Sequence, residues 1–156
     1  MPTSGKFLDD AKTAILHPSL IFASAMKRFS PYYWFALFAL CSLAYTYVQD
    51  DLRPNYHGDD VVIIYLLGVA PNFFPALGLP ALFVILLPQL KPGNNPWFHG
   101  KRQYTANAIS LLGLLLWEFA QTAFAKARFD WHDVLLTCIG ALVFHAVWLI
   151  TPARLR

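Results

Sequence analysis

Four apolar runs, separated by short polar connections, leave this chain few folds to choose from. The longest, Val61 to Leu87, covers 27 residues. A bilayer core is crossed by roughly 20 apolar residues in a helix, and four runs approach or exceed that length: 31–48, 61–87, 104–125 and 132–150. Only 13% of the 156 residues are charged, whereas 57% are hydrophobic. A soluble domain needs more charge than this to cover its surface. The expectation is an all-α integral membrane protein: a bundle of about four transmembrane helices occupying 31–150, with no room for a separate soluble domain.

Outside the bundle two short segments remain. Residues 1–30 read as an interfacial amphipathic arm. Ser4 is placed to cap a helix with Phe7, Leu8, Ala11 and Ile15 on one side and Lys6, Asp9, Asp10 and Lys12 on the other. Pro18 is expected to break that helix, and Ser30-Pro31 to start the first span, since proline suits the first helical position. No small-residue cleavage pattern follows a compact apolar core, so the arm is expected to remain. Residues 151–156 form a basic tail.

The second run is irregular. Pro71, Pro75 and Pro80 interrupt it beside Asn72, Gly68 and Gly78. Each proline removes a backbone donor, so a strongly kinked or broken helix is expected, packed against its neighbours.

The net charge of +3 does not imply nucleic acid. The basic residues flank the apolar runs, where membrane topology explains them. Nine Lys and Arg lie in the arm, the second connection and the tail, against three in the first and third connections. With four spans, that bias puts both termini in the cytoplasm. The acidic connection with Asp50, Asp51, Asp59 and Asp60 then shares the outer face with Asp130 and Asp133. Cys41 and Cys138 lie inside expected spans and read as small apolar packers rather than a disulfide or metal pair.

Carboxylates at membrane depth or at its boundary are costly and mark candidate sites. At about 100° per residue, Asn107, Ser110, Glu118 and Gln121 fall within an arc of about 80° on the third run. Asp130, Asp133, Thr137 and Gly140 share a face of the fourth. Helices joined by a short connection pack side by side, so Glu118, Gln121, Asp130 and Asp133 are expected to meet in one outward-facing polar pocket. A structural role competes with this: Glu118 as an interhelical hydrogen-bonding group, and Asp130 as the cap of the fourth helix. His145 is the one histidine well inside a span. It can be read as a core residue or as a cofactor ligand. No HxxxH, HExxH, GxSxG, P-loop or dinucleotide pattern is present, so neither a metal nor another cofactor is expected.

Glu118-x-x-Gln121, Phe129-Asp130-x-x-Asp133 and Gly140-Ala141-Leu142 resemble the C-terminal signature of VanZ-like membrane proteins. That family commonly has Glu-x-x-Gln on one span, Phe-Asp-x-x-Asp in the connection and Asn-x-x-Gly on the next. Asn107 is similar to the family's polar residue early in the preceding span. Pro71-Asn72-Phe73-Phe74-Pro75 is similar to a Pro-Ser-Phe-like stretch in its relatives. The likeness covers about residues 104–145. Thr137 stands where the family usually has Asn, and His132 where Asp is frequent.

The resemblance implies a small protein of the bacterial inner membrane. The family's namesake is associated with low-level resistance to the glycopeptide teicoplanin. The leading expectation is therefore non-enzymatic: binding or shielding a lipid-linked or glycopeptide-like envelope component through Glu118, Gln121, Asp130, Asp133 and Asn107, amid membrane lipids. One alternative is an accessory subunit of a larger membrane complex, motivated by the 16% aromatic content. His145 is then the first ligand candidate if that complex holds pigments. The other is an intramembrane enzyme with Glu118 and Asp133 as an acid–base pair.

Overall fold

The computed structural model describes residues 18–90, 95–124 and 129–156. Among them every regular element is helical. Four long helices dominate: α1 (Pro18–Thr46), α2 (Val61–Leu90), α3 (Arg102–Phe124) and α4 (Trp131–Ile150). A π-helical turn, Tyr47–Leu52, and a single helical turn, Arg53–Asn55, extend α1 into the first connection, and a 3-10 turn, Ala153–Leu155, follows α4. The four apolar runs thus map onto the four long helices. Two of these, α2 and α4, are long and apolar enough to cross a membrane. Residues 1–17 of the expected arm, with its Ser4 cap, lie outside the described residues.

Two proline readings differ from the structure. Pro31 does not start α1; it lies inside a helix described from Pro18 onward. A proline costs one backbone bond, to the carbonyl four residues back. For α2 the difference is confined to the broken alternative of the kinked-or-broken expectation: one helix contains Pro71, Pro75, Pro80 and Pro88. It is the central element, packed against α1, α3 and α4, and that enclosure holds the helix where its own hydrogen bonds are incomplete.

Small residues set the helix spacing. A Cβ added at Gly78 would lie 2.8 Å from the Cys41 Cβ, so α1 and α2 touch there. At Gly140 an added Cβ would meet the Phe73 carbonyl oxygen and the Ala76 Cβ, each at 2.7 Å, so α4 seats directly on the α2 backbone. Close approach at small residues is the usual way helices associate where burial of apolar surface gives little driving force.

Helix ends are fixed by side chains. Asp60 Oδ1 accepts from the Val62 and Ile63 amides at 2.8 and 3.2 Å, capping α2. Asp130 caps α4 through the His132 amide at 2.8 Å. Thr151 closes α4, its hydroxyl donating to the Val147 carbonyl at 2.6 Å, and Pro152 follows it.

The core lies toward the end of the bundle that carries the C-terminal turn. Trp34, Ala81, Val84, Leu87, Ala106, Phe144 and Trp148 form one buried cluster. Trp34 stacks on Trp148 with ring centroids 5.0 Å apart, and its indole donates to the Leu155 carbonyl at 2.7 Å. Ser30 donates to the same oxygen at 2.8 Å, and Arg102 to the Arg156 carbonyl at 2.6 Å. The turn after α4 is thereby tied to α1 and α3.

Candidate functional site

At the opposite end the four helices enclose a polar cavity of about 380 Å³. Each wall follows from helical spacing. From α3 come Leu114, Trp117, Glu118 and Gln121, and from α4 Asp133 and Thr137. Gly68, Pro71, Asn72 and Pro75 line it from α2. Each set recurs at steps of three or four residues, with Pro71–Asn72 and Trp117–Glu118 as adjacent pairs within their stripes.

The fourth wall is Tyr45, Gln49 and Arg53. At about 3.6 residues per turn, positions four apart drift by about 40° at each step. The wider π-helical turn offsets that drift and keeps the three side chains on one line. Single π turns recur at functional sites. Arg53 also donates a long bond, 3.4 Å, to Gln49 Oε1.

The floor holds two carboxylates. Glu118 and Asp133 are half-buried and lie within electrostatic reach of each other. Asn72 hydrogen-bonds the Asp133 side chain, and Arg53 lies close enough to act on its charge. Thr137 is buried and donates to the Asp133 carbonyl at 2.8 Å, so its hydroxyl is committed to its own helix. Glu118 and Asp133 thus line the same cavity, with the Asn72 amide and the Arg53 guanidinium near Asp133.

The sequence-predicted residues separate into three places. Glu118, Gln121 and Asp133 come together in the cavity. Asp130 stands at the rim as the α4 cap, its Oδ1 also 2.8 Å from His132 Nδ1. The His132 amide, and then its ring, hold the Asp130 carboxyl below the usual carboxylate range, because both hydrogen bonds favour the charged form. Its charge still reaches Glu118 and Asp133. Asn107 is not in the cavity: it lies about three turns down α3 from Glu118, where its Nδ2 donates to the Ala141 carbonyl at 3.1 Å. It shares a helix face with Glu118 but not a depth.

His145 is also remote. It is half-buried, with its ring 5.7 Å from Tyr104. Among the described residues no cluster of three or more His, Cys, Asp or Glu is arranged to hold a metal ion.

Sequence reasoning missed Tyr45, Gln49, Arg53 and Asn72 as lining residues. For Asn72 a signal existed: a lone amide in an otherwise apolar run is costly unless it has a partner. For Arg53 none did, because its approach to Asp133 depends on where the first connection is placed in three dimensions. Comparison with family models, curated proteins and solved structures returns no match.

Proposed function

We propose that this chain is a four-span integral membrane protein of the VanZ-like type. In this reading it binds or shields an envelope component through the polar cavity, without catalysing a reaction on it. The observation that carries the reading is the convergence of Glu118, Gln121, Asp133, Asn72 and Arg53, from all four walls, on one cavity at one end of an apolar bundle. Carboxylates placed there cost stability and serve no packing purpose that apolar residues would not serve better.

Membrane insertion is supported by more than α2 and α4. On α1, Leu40 and Leu43 are 66% and 68% exposed, and on α3 Leu112 and Leu116 are 60% and 67% exposed. Apolar surface spread over every helix is a liability in water and ordinary against lipid. The cavity lies at the end with the acidic first connection, and the basic end carries the Leu155 turn. With both termini cytoplasmic, as the Lys and Arg bias favours, the cavity opens outward from a bacterial inner membrane. Such a site would meet lipid-linked or glycopeptide-like molecules on the outer face of that membrane.

Expression of the chain in a teicoplanin-sensitive bacterium tests this reading. The wild type should raise survival, and Glu118→Ala and Asp133→Ala should lose that gain while remaining folded and inserted. If both variants protect as well as the wild type, the cavity is structural and the proposal is wrong. Stoichiometric co-purification with other membrane proteins, together with variants that still protect, would identify an accessory subunit instead.

A further inference from the structure

A second cavity adjoins the polar one. It is an apolar groove of about 190 Å³ between α1 and α2, lined by Phe38, Cys41, Ser42, Phe74, Gly78 and Leu79. Tyr45 and Pro75 line both this groove and the polar cavity. The groove reaches the point where Gly78 lets α2 touch Cys41, and Tyr45 and Pro75 form the boundary it shares with the polar cavity. A ligand occupying both spaces must be polar at one end and hydrocarbon at the other.

The charges narrow the polar end. The α3 and α4 walls offer the carboxylates of Glu118 and Asp133, with Asn72 beside Asp133. The facing wall offers Arg53 with Gln49. The complement is a cation that hydrogen-bonds to carboxylates and an anion that suits a guanidinium, linked within one headgroup. A phosphate and a primary ammonium meet that description. Guanidinium pairs with phosphate oxygens, and ammonium N–H groups pair with carboxylates, by charge-assisted bonds. A quaternary ammonium has no N–H to give. Resting on the cavity reading above, we infer that the ligand is a phospholipid with an ammonium-bearing headgroup of the phosphoethanolamine kind. The headgroup sits among Glu118, Asp133 and Arg53, and one acyl chain lies in the groove along Cys41 and Gly78.

The test uses the full chain in mild detergent, with native mass spectrometry counting bound lipid. The probes are phosphatidylethanolamine, phosphatidylcholine and phosphatidylglycerol of equal chain length. Loss of one charge-assisted contact is worth roughly a tenfold change in affinity. Phosphatidylethanolamine should be retained about tenfold better than either of the others on that scale. Glu118→Gln and Asp133→Asn should each erase the preference for ammonium, and Ser42→Phe, which fills the groove, should weaken all three lipids alike. Equal retention of the three lipids by the wild type overturns the headgroup assignment without relying on any variant. Unchanged lipid binding by folded Ser42→Phe overturns the chain assignment. Either failure alongside Glu118-dependent survival on teicoplanin leaves the cavity function standing with a different ligand. Loss of the Glu118 dependence itself removes the function and leaves the lipid count to be read alone.

Discussion

The two ends of this bundle are built on opposite principles. At the end beside the C-terminal turn, Trp34 is fully buried, stacked on Trp148 and hydrogen-bonded to Leu155. Every polar atom of that indole is matched, and the surrounding space is filled. At the other end the same four helices leave about 380 Å³ open and place Glu118 near Asp133, where like charges repel. The first arrangement maximises packing, and the second gives packing up for chemistry. Proteins accept local instability where a site requires it and make it good elsewhere. The contrast assigns stability to one end and recognition to the other.

The strongest way to break that assignment is Trp34→Ala. Truncating a buried tryptophan costs about 3–5 kcal/mol, and here the Leu155 carbonyl also loses its indole donor. The thermal midpoint in detergent should fall by the largest amount of any single change considered. Trp34→Phe, which keeps a ring against Trp148, should recover part of it. A Trp34→Ala protein as stable as the wild type would mean that the aromatic cluster is not what holds the helices together.

How much of this contrast could be read from the sequence depended on range. The four helices were legible because each is a local run of apolar residues, and the Glu118–Gln121 stripe because it obeys helical spacing within α3. Asp130 as a cap followed from its place just before an apolar run. Spacing could not separate Asn107 from Glu118, since both lie on one face of α3 and differ only in depth along it. Nor could it show that Arg53 would approach Asp133, a contact between segments 80 positions apart in the sequence. The continuity of α1 through Pro31 and of α2 through its prolines was hidden for the same reason. Local propensity argues for a break there, and the neighbouring helices that overrule it are distant in sequence.

The second test should move in the opposite direction. Glu118→Gln and Asp133→Asn keep the shape and hydrogen-bonding reach of the side chains and remove one of two mutually repelling charges. Stability should change by no more than about 1 kcal/mol, and the direction should be upward for at least one of them. The preference for an ammonium headgroup should be lost in both. Melting curves set beside lipid retention on the same samples would show this. A large fall in midpoint for either variant would make that carboxylate a structural element and erase the difference between the two ends.

The smallest effect belongs to the rim, and it separates capping from charge. Asp130 is exposed and, among the described residues, hydrogen-bonds to His132 at the start of α4. Asp130→Asn retains a side-chain oxygen able to cap the helix, whereas Asp130→Ala does not. The alanine variant should therefore melt slightly below the wild type at neutral pH, with the asparagine variant between them. Acid sharpens the reading. The Asp130 carboxyl has a lowered pKa in the folded chain, so its contribution is present above the ordinary carboxylate range and disappears as pH falls through that lowered value. The gap between wild type and Asp130→Ala should close on acidification, and lipid retention should be nearly the same in both, because Asp130 reaches the cavity only through its field. A gap that stays open well below the carboxylate range would show that the charge on Asp130 is not what supports the start of α4.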